Sequence, residues 1–381
     1  MTADTSVKVY QSTDAGAPAL SGTVGALIAV LDACLTTGYG SVTLDSVVVA
    51  GNVATCTKSA GHSFALLGTT GPVIRIAGAT PAGLNGDWRV TVVSPTVFTF
   101  PTTGISDQTA TGTITALRAP LGFSKSFSGT NKAAYRSDDI TGTRLSLRVD
   151  DSGAGSAQYA RIRGYEVMSD VDTGTGLYPT DAQLSGGGYW YKSSSASSTA
   201  RAWAIAGDSR GFALFLNTDG TTNHNVSYFF GDIASDHAAD AYCSLLIAGE
   251  AATANTTFQS YSSSTGHFMA RAYTQIGTAI KPIKYGHIIN STYGMGYAGA
   301  DYPNPGNNFF LCGQVDVWDS SAAARGVFPG LYSPLHAASN LTDGTIIPSV
   351  SGLTWHELMI KRLYSGGVNF AVAIDITGPW R

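Results

Sequence analysis

The chain has 381 residues, of which 44% are hydrophobic, only 13% are charged and 45 are glycine. That apolar content excludes general disorder, and a net charge of −4 supplies no basic field for non-specific nucleic-acid binding. The length allows two or three domains with sizeable cores.

The charged share falls below the roughly 25–35% of a solvated surface. Either neighbours in an assembly cover much of the surface, or the surface is neutral and rich in Ser and Thr. Met1–Tyr10 lacks the basic and apolar regions of a signal peptide. The longest apolar candidate, Leu27–Leu35, is broken by Asp32 and falls short of the ~20 residues needed to span a bilayer. The expectation is a soluble product without membrane insertion, made in the cytoplasm of the cell that makes it.

Val7–Tyr10 reads as a short extended piece, followed by a turn with Asp14, Gly16 and Pro18. Thr23–Thr37 is the best helix: Leu27, Val30, Leu31 and Cys34 recur at helical spacing, Ser21 is a candidate N-cap and Gly38 a stop. A lone amphipathic helix of this kind either packs on its own sheet or docks on a neighbour, so residues 1–40 form a candidate docking region.

From Ser41 the apolar period becomes two. Val42–Leu44, Val47–Val49, Val53–Cys56, Val73–Ile76, Trp88–Val92, Val97–Phe100 and Gly112–Thr115 read as strands of a small β module over 41–118. Ala119–Asn131, with Pro120, Gly122 and Gly129, reads as the passage into a larger antiparallel β-sandwich over 119–381. Its predicted strands are Arg144–Val149, Gln158–Val167, Tyr189–Lys192, Arg201–Ile205, Phe212–Leu216, Ser227–Phe230, Tyr242–Ile247, Phe268–Arg271, Asp316–Trp318, Glu357–Tyr364 and Asn369–Asp375. The fold class is therefore all-β, antiparallel sandwich or barrel modules with one short N-terminal helix.

The motifs that resemble catalytic ones lack their partners. Gly207–Asp208–Ser209–Arg210–Gly211 has the G-x-S-x-G spacing of a nucleophile elbow, but Phe212–Leu216 alternates like a strand where that chemistry needs a helix. His356–Glu357 opens like a zinc H-E-x-x-H helix, yet position 360 is Ile. Asp170–Val171–Asp172 suggests a calcium loop, but Gly174, Thr175 and Asp181 stand where the ligands and glycine of that loop belong. A Gly-rich turn is the simpler reading, with an irregular calcium site on Asp150, Asp151, Asp170 or Asp172 as its alternative. Cys34, Cys56, Cys243 and Cys312 are widely spaced and predict free thiols, without a zinc site or a disulfide framework. No catalytic, metal or cofactor residue is assigned, and the chain reads as a non-enzyme.

Two aromatic stretches are candidate receptor or subunit contacts. Ser185–Gly186–Gly187–Gly188 precedes Tyr189–Trp190–Tyr191, where a strand places Tyr189 and Tyr191 on one face and Trp190 on the other, so at least one side is core. The loop Tyr285–Tyr302, carrying Tyr293, Tyr297 and Tyr302, is long for a passive connection.

Several segments resemble virion proteins of tailed bacteriophages. Val7–Lys8–Val9–Tyr10, Ser12–Thr13–Asp14–Ala15–Gly16–Ala17–Pro18, Leu31–Asp32–Ala33–Cys34–Leu35 and Gly38–Tyr39–Gly40 are similar to the start of such proteins. Ile76–Ala77–Gly78–Ala79, Leu84–Asn85–Gly86, Trp88–Arg89–Val90 and Phe98–Thr99–Phe100 resemble a small β module of phage tail and fibre proteins, whose Gly-His-Gly turn reads Gly61–His62–Ser63 here. Tyr165–Glu166, Trp203 to Asp208, Phe229–Phe230–Gly231–Asp232–Ile233 and Thr377–Gly378–Pro379–Trp380 fit the same group. The resemblance implies a structural component of the tail tip or baseplate, assembled as a homotrimer or ring with other tail proteins. It also leaves room for a module that binds host-surface polysaccharide, or for a capsid decoration protein.

Overall fold

The computed structural model describes residues 4–253, 262–285, 302–303, 309–319, 323–350, 353–365 and 368–381. Among the described residues the chain is all-β, with one short α–π helical segment and two single 3-10 turns, and its strands pair antiparallel apart from one parallel contact, Asn225 opposite Leu363. None of its described helices is long and apolar enough to cross a membrane.

Residues 39–118 fold around their own core. A four-stranded sheet (Tyr39–Thr43, Thr115–Arg118, Val73–Ala77, Gly86–Arg89) faces a five-stranded one (Thr91–Ser94, Val97–Pro101, Val53–Thr57, Ser46–Ala50, Gln108–Thr109). Between them lie Val47, Val49, Ile74, Ile76, Phe98 and Phe100. The first and last strands pair, Thr43 opposite Thr115, so the module leaves the larger unit and returns to it at one place. Two predicted strands need correction. Trp88–Val92 is divided at Val90, whose N–H goes to the Pro72 carbonyl as the chain passes from one sheet to the other. The strand predicted at Gly112–Thr115 runs instead over Thr115–Arg118, because Gly112 turns with φ 107°.

The turn at Gly61–His62–Ser63 has a clear geometry. His62 is buried, its Nδ1 accepts the Phe64 N–H at 3.0 Å, and Ser63 is left in the left-handed region at φ 57°. That is a conformation in which a side chain costs energy and glycine does not.

Segment 4–38 is built into the larger unit. Lys8–Gln11 pairs with Trp203–Asp208 at the edge of a sheet with fourteen strands among the described residues. The predicted helix is α over Ala26–Leu31 and π over Asp32–Thr37, ending as expected at Gly38 (φ 74°). Ser21 does not cap it. Gly25 occupies the N-cap, and the Leu27 N–H is taken at 2.9 Å by a side chain far along the sequence, Asp151. Leu27, Val30 and Leu31 are fully buried, so the helix packs its apolar face inside this chain.

Above the helix lies a six-stranded sheet: Phe123–Gly129, Lys132–Ser137, Ser146–Asp150, Tyr159–Met168 and Gly174–Tyr178, with Gly188–Tyr191 also paired to Tyr159–Met168. The strand Phe123–Gly129 occupies part of the segment expected to be a passage. Its Ser- and Lys-rich outer face is largely exposed and gave no apolar pattern. Beneath lies the large sheet, whose strands Trp203–Asp208, Gly211–Asn217 and Asn225–Asp232 are buried on both faces. Ile205, Phe212, Leu214 and Tyr228 point to one core, and Ala204, Ala213, Phe215 and Phe229 to the other. Double burial explains their nearly continuous apolar runs. The G-x-S-x-G segment is the two-residue hairpin turn between the first two of these strands, with Asp208 opposite Gly211. Gly211 in turn faces Gly231, where an added Cβ on Gly231 would meet the Gly211 Cα at 2.2 Å. The four cysteines are free thiols, Cys312 only half-buried, and burial pushes Cys56 and Cys243 up to about 12.

The module is fastened to the larger unit by hydrogen bonds from polar groups, of which Lys8 and Glu357 are buried. The Glu357 carboxylate accepts hydrogen bonds from the backbone N–H and hydroxyl of both Thr69 and Thr70 at 2.6–3.2 Å. The Arg89 guanidinium donates to the carbonyls of Asp4, Gly71, Val7 and Thr377. Lys8 donates to Asp87 and to the Pro120 carbonyl. Burial raises the Glu357 carboxyl, but the bonds from Thr70 and Thr69 outweigh it and hold the group below its ordinary value near 4.5. A depressed carboxyl contributes stability that is complete above that ordinary value and is lost as pH falls through the lowered one. Glu357→Gln should therefore cost about 2 kcal/mol near neutral pH and flatten the acid limb of stability below pH ~5, read by urea melts across pH. Ser63→Gly should raise stability by about 1 kcal/mol, which the same melts would register.

Candidate functional site

Strand Gly188–Tyr191 crosses the edge of the six-stranded sheet beside Tyr159–Met168, with Tyr159 opposite Tyr191 and Arg161 opposite Tyr189. Because side chains alternate along a strand, this pairing gathers Tyr159, Arg161, Tyr189 and Tyr191 on one face. All four are half-buried. The Tyr159 and Tyr189 rings meet edge-on with centroids 4.9 Å apart, and the Arg161 guanidinium lies 4.1 Å from the Tyr189 centroid. Arg161 also donates to the carbonyls of Ser185 and Gly187, which fixes the glycine run before Tyr189. Burial pushes the Tyr191 phenol up, so it stays protonated and able to donate. Tyr159, Tyr189 and Tyr191 with the Arg161 guanidinium thus form one half-buried aromatic and cationic patch on a strand pair, with Arg161 stacked on Tyr189.

Trp190 leaves this set. Its side chain is fully buried, its ring stacks on Tyr228 with centroids 5.7 Å apart, and its Nε1 donates to the Ile247 carbonyl. The opposite face of the strand is core, and no ring face of Trp190 remains for a ligand. Tyr159 and Arg161 were missed because their pairing with Tyr189 spans nearly thirty residues, and no local pattern carries it.

Of the second aromatic stretch, Tyr293 and Tyr297 lie outside the described residues. Tyr302 is half-buried and packs edge-on against Phe310 and His336, with centroids 5.7 and 5.3 Å away. It is not brought together with the Tyr189 face by any ring contact among the described residues. Trp355 directly precedes the zinc-like His356–Glu357 pair. In the structure it is 87% exposed with φ 74°, in the strand Leu353–Ser365. A bulky side chain in the left-handed region is a backbone outlier. His356, beside it, meets Asp375 at 2.9 Å.

The acidic residues considered for calcium are occupied by cations and peptide groups. Asp172 pairs with Lys132 and Arg148, Asp150 with Arg148, and Asp151 with Lys192, while Asp170 accepts the Asp172 N–H. No group of three potential metal ligands occurs among the described residues. The cleft between the module and the larger unit, about 230 Å³, is lined by Lys8, Asp14, Arg89 and Arg118, which also serve the junction.

No protein-family model matches this chain, and no curated protein matches it. The site therefore rests on its own geometry. Trp190→Ala should cost about 3–5 kcal/mol of stability, whereas Tyr189→Ala should cost about 1 kcal/mol. Equal losses in denaturant melts would mean that the tyrosine face is structural too.

Proposed function

We propose that this chain is a structural protein of a tailed-bacteriophage virion, placed in the tail tip or baseplate and assembling as a symmetric homo-oligomer. The phage-like segments support the reading. So does a weakly charged all-β body whose two units are fastened by directional hydrogen bonds, since an assembly part gains from rigidity.

The observation that carries it is Trp355. The strand holds this ring almost wholly in solvent at an unfavourable backbone angle, two residues from the Glu357 that anchors the module. A neighbouring subunit covering the ring would offset both costs. In a cyclic oligomer each copy would present the same surface to the next.

Gold-tagged antibody against the chain, viewed on intact particles by electron microscopy, tests the reading. Label at the tail tip is expected. Label on the head moves the protein to capsid decoration, and unlabelled particles remove it from the virion.

The tyrosine face favours a second role, contact with host-surface polysaccharide. Tyr189→Ala and Tyr191→Ala particles should then assemble normally and adsorb poorly, and normal adsorption by both would reject it. For the leading reading, Trp355→Ser should shift purified protein from oligomer to monomer in light scattering with little change in melting temperature. An unchanged mass would exclude Trp355 from the subunit contact.

A further inference from the structure

One ion pair in the larger unit is sealed from solvent on both sides: Asp151 and Lys192 each have no exposed side-chain surface. Asp151 directly follows strand Ser146–Asp150, and Lys192 directly follows strand Gly188–Tyr191. Both strands pair with Tyr159–Met168, one along each of its edges. Lys192 Nζ lies against Asp151 Oδ1 and also donates to the Thr23 carbonyl, two acceptors that fix its position. On the other carboxyl oxygen, Oδ2, the Leu27 N–H at the start of the helix donates at 2.9 Å. The pair thus has an amine held on a carboxyl group, a peptide donor on the second oxygen, and no contact with bulk water. These are the elements that amide formation needs.

We propose that, once the chain has folded, Lys192 and Asp151 condense into an amide between Nζ and Cγ, releasing one water. A proton first passes from the Nζ ammonium to Oδ1 along their hydrogen bond, leaving a neutral amine and a neutral acid. The Nζ lone pair then forms the bond to Cγ while the carbonyl electron pair moves onto Oδ2, where the Leu27 N–H stabilises the negative charge as a preorganised donor. A second proton passes from Nζ to Oδ1, the Cγ–Oδ1 bond breaks, and water leaves as the carbonyl re-forms at Oδ2. The nitrogen keeps one hydrogen, which faces the Thr23 carbonyl. Oxidation states are unchanged, so no co-reactant is required.

Two physical effects favour the step. Fixing the partners in contact replaces a bimolecular encounter with an intramolecular one. Burial also disfavours both charged forms, pushing the Asp151 carboxyl up and the Lys192 amine down against their mutual attraction. A neutral amide removes the desolvation cost that two buried charges carry. The product would brace the ends of two strands and the helix start with one covalent link.

Intact-mass spectrometry of the denatured full chain decides the matter. The expected mass is one water below that of the sequence, with digestion yielding a branched peptide that joins residues 151 and 192. Lys192→Arg should restore the full mass. Asp151→Asn should lose ammonia instead and converge on the mass of the wild-type product. Folded wild-type protein at its full sequence mass would overturn the proposal, whatever the variants do. So would a water loss that digestion confines to one unbranched peptide, the signature of a succinimide.

Discussion

Asp151 is the residue on which the larger unit turns. Its backbone carbonyl accepts the Gly25 N–H, its backbone N–H goes to the Asn131 carbonyl, and its side chain holds both the Leu27 N–H and Lys192. A buried carboxyl group must find partners for both oxygens or the site does not form. The helix it starts has one α turn and a half before passing into π geometry, too short to stand alone in water. Yet that helix supplies Leu27, Val30, Leu31 and Cys34 to the main core. The order of dependence therefore runs from a polar contact to a helix, and from the helix to the apolar layer beneath the six-stranded sheet.

The same logic organises the boundary between the two β units. Apolar packing builds each core, but the junction is made of Glu357, Arg89 and Lys8, whose hydrogen bonds are directional. Directional bonds set one orientation where a greasy contact would allow several. Function, on the reading offered here, depends on that fixed geometry, because a ring of subunits closes only if each copy presents its surface at a constant angle. The exposed Trp355 and the tyrosine face then sit at set positions on one body.

Strands with strong apolar runs bounded by turn residues were legible in the sequence. Phe212–Leu216, Ser227–Phe230 and Asn369–Asp375 lie within observed strands. The long strand Ala324–Pro334 was not, because Pro329 and Gly330 interrupt its apolar pattern. They occupy an irregularity where the pairing with Cys312–Trp318 shifts, and Gly330 is where Trp380 packs so closely that a Cβ would meet its ring at 2.0 Å. For the site, the alternation of Tyr189, Trp190 and Tyr191 implied one core face and one outer face. Which ring was core, and that Tyr159 and Arg161 complete the outer face, depended on strand pairing.

By itself the sequence determined the fold class, the turn at Asp208–Gly211 and the helix stop at Gly38. These follow from short-range rules: side-chain period, turn chemistry and the freedom of glycine at positive φ. Only the tertiary structure decided that Asp151 caps the helix, that Glu357 anchors the module through Thr69 and Thr70, that Trp190 is core and that Trp355 is bare. Each of these depends on which distant segment lies alongside, and such pairings are selected by the packing of the whole chain, where no local pattern records them.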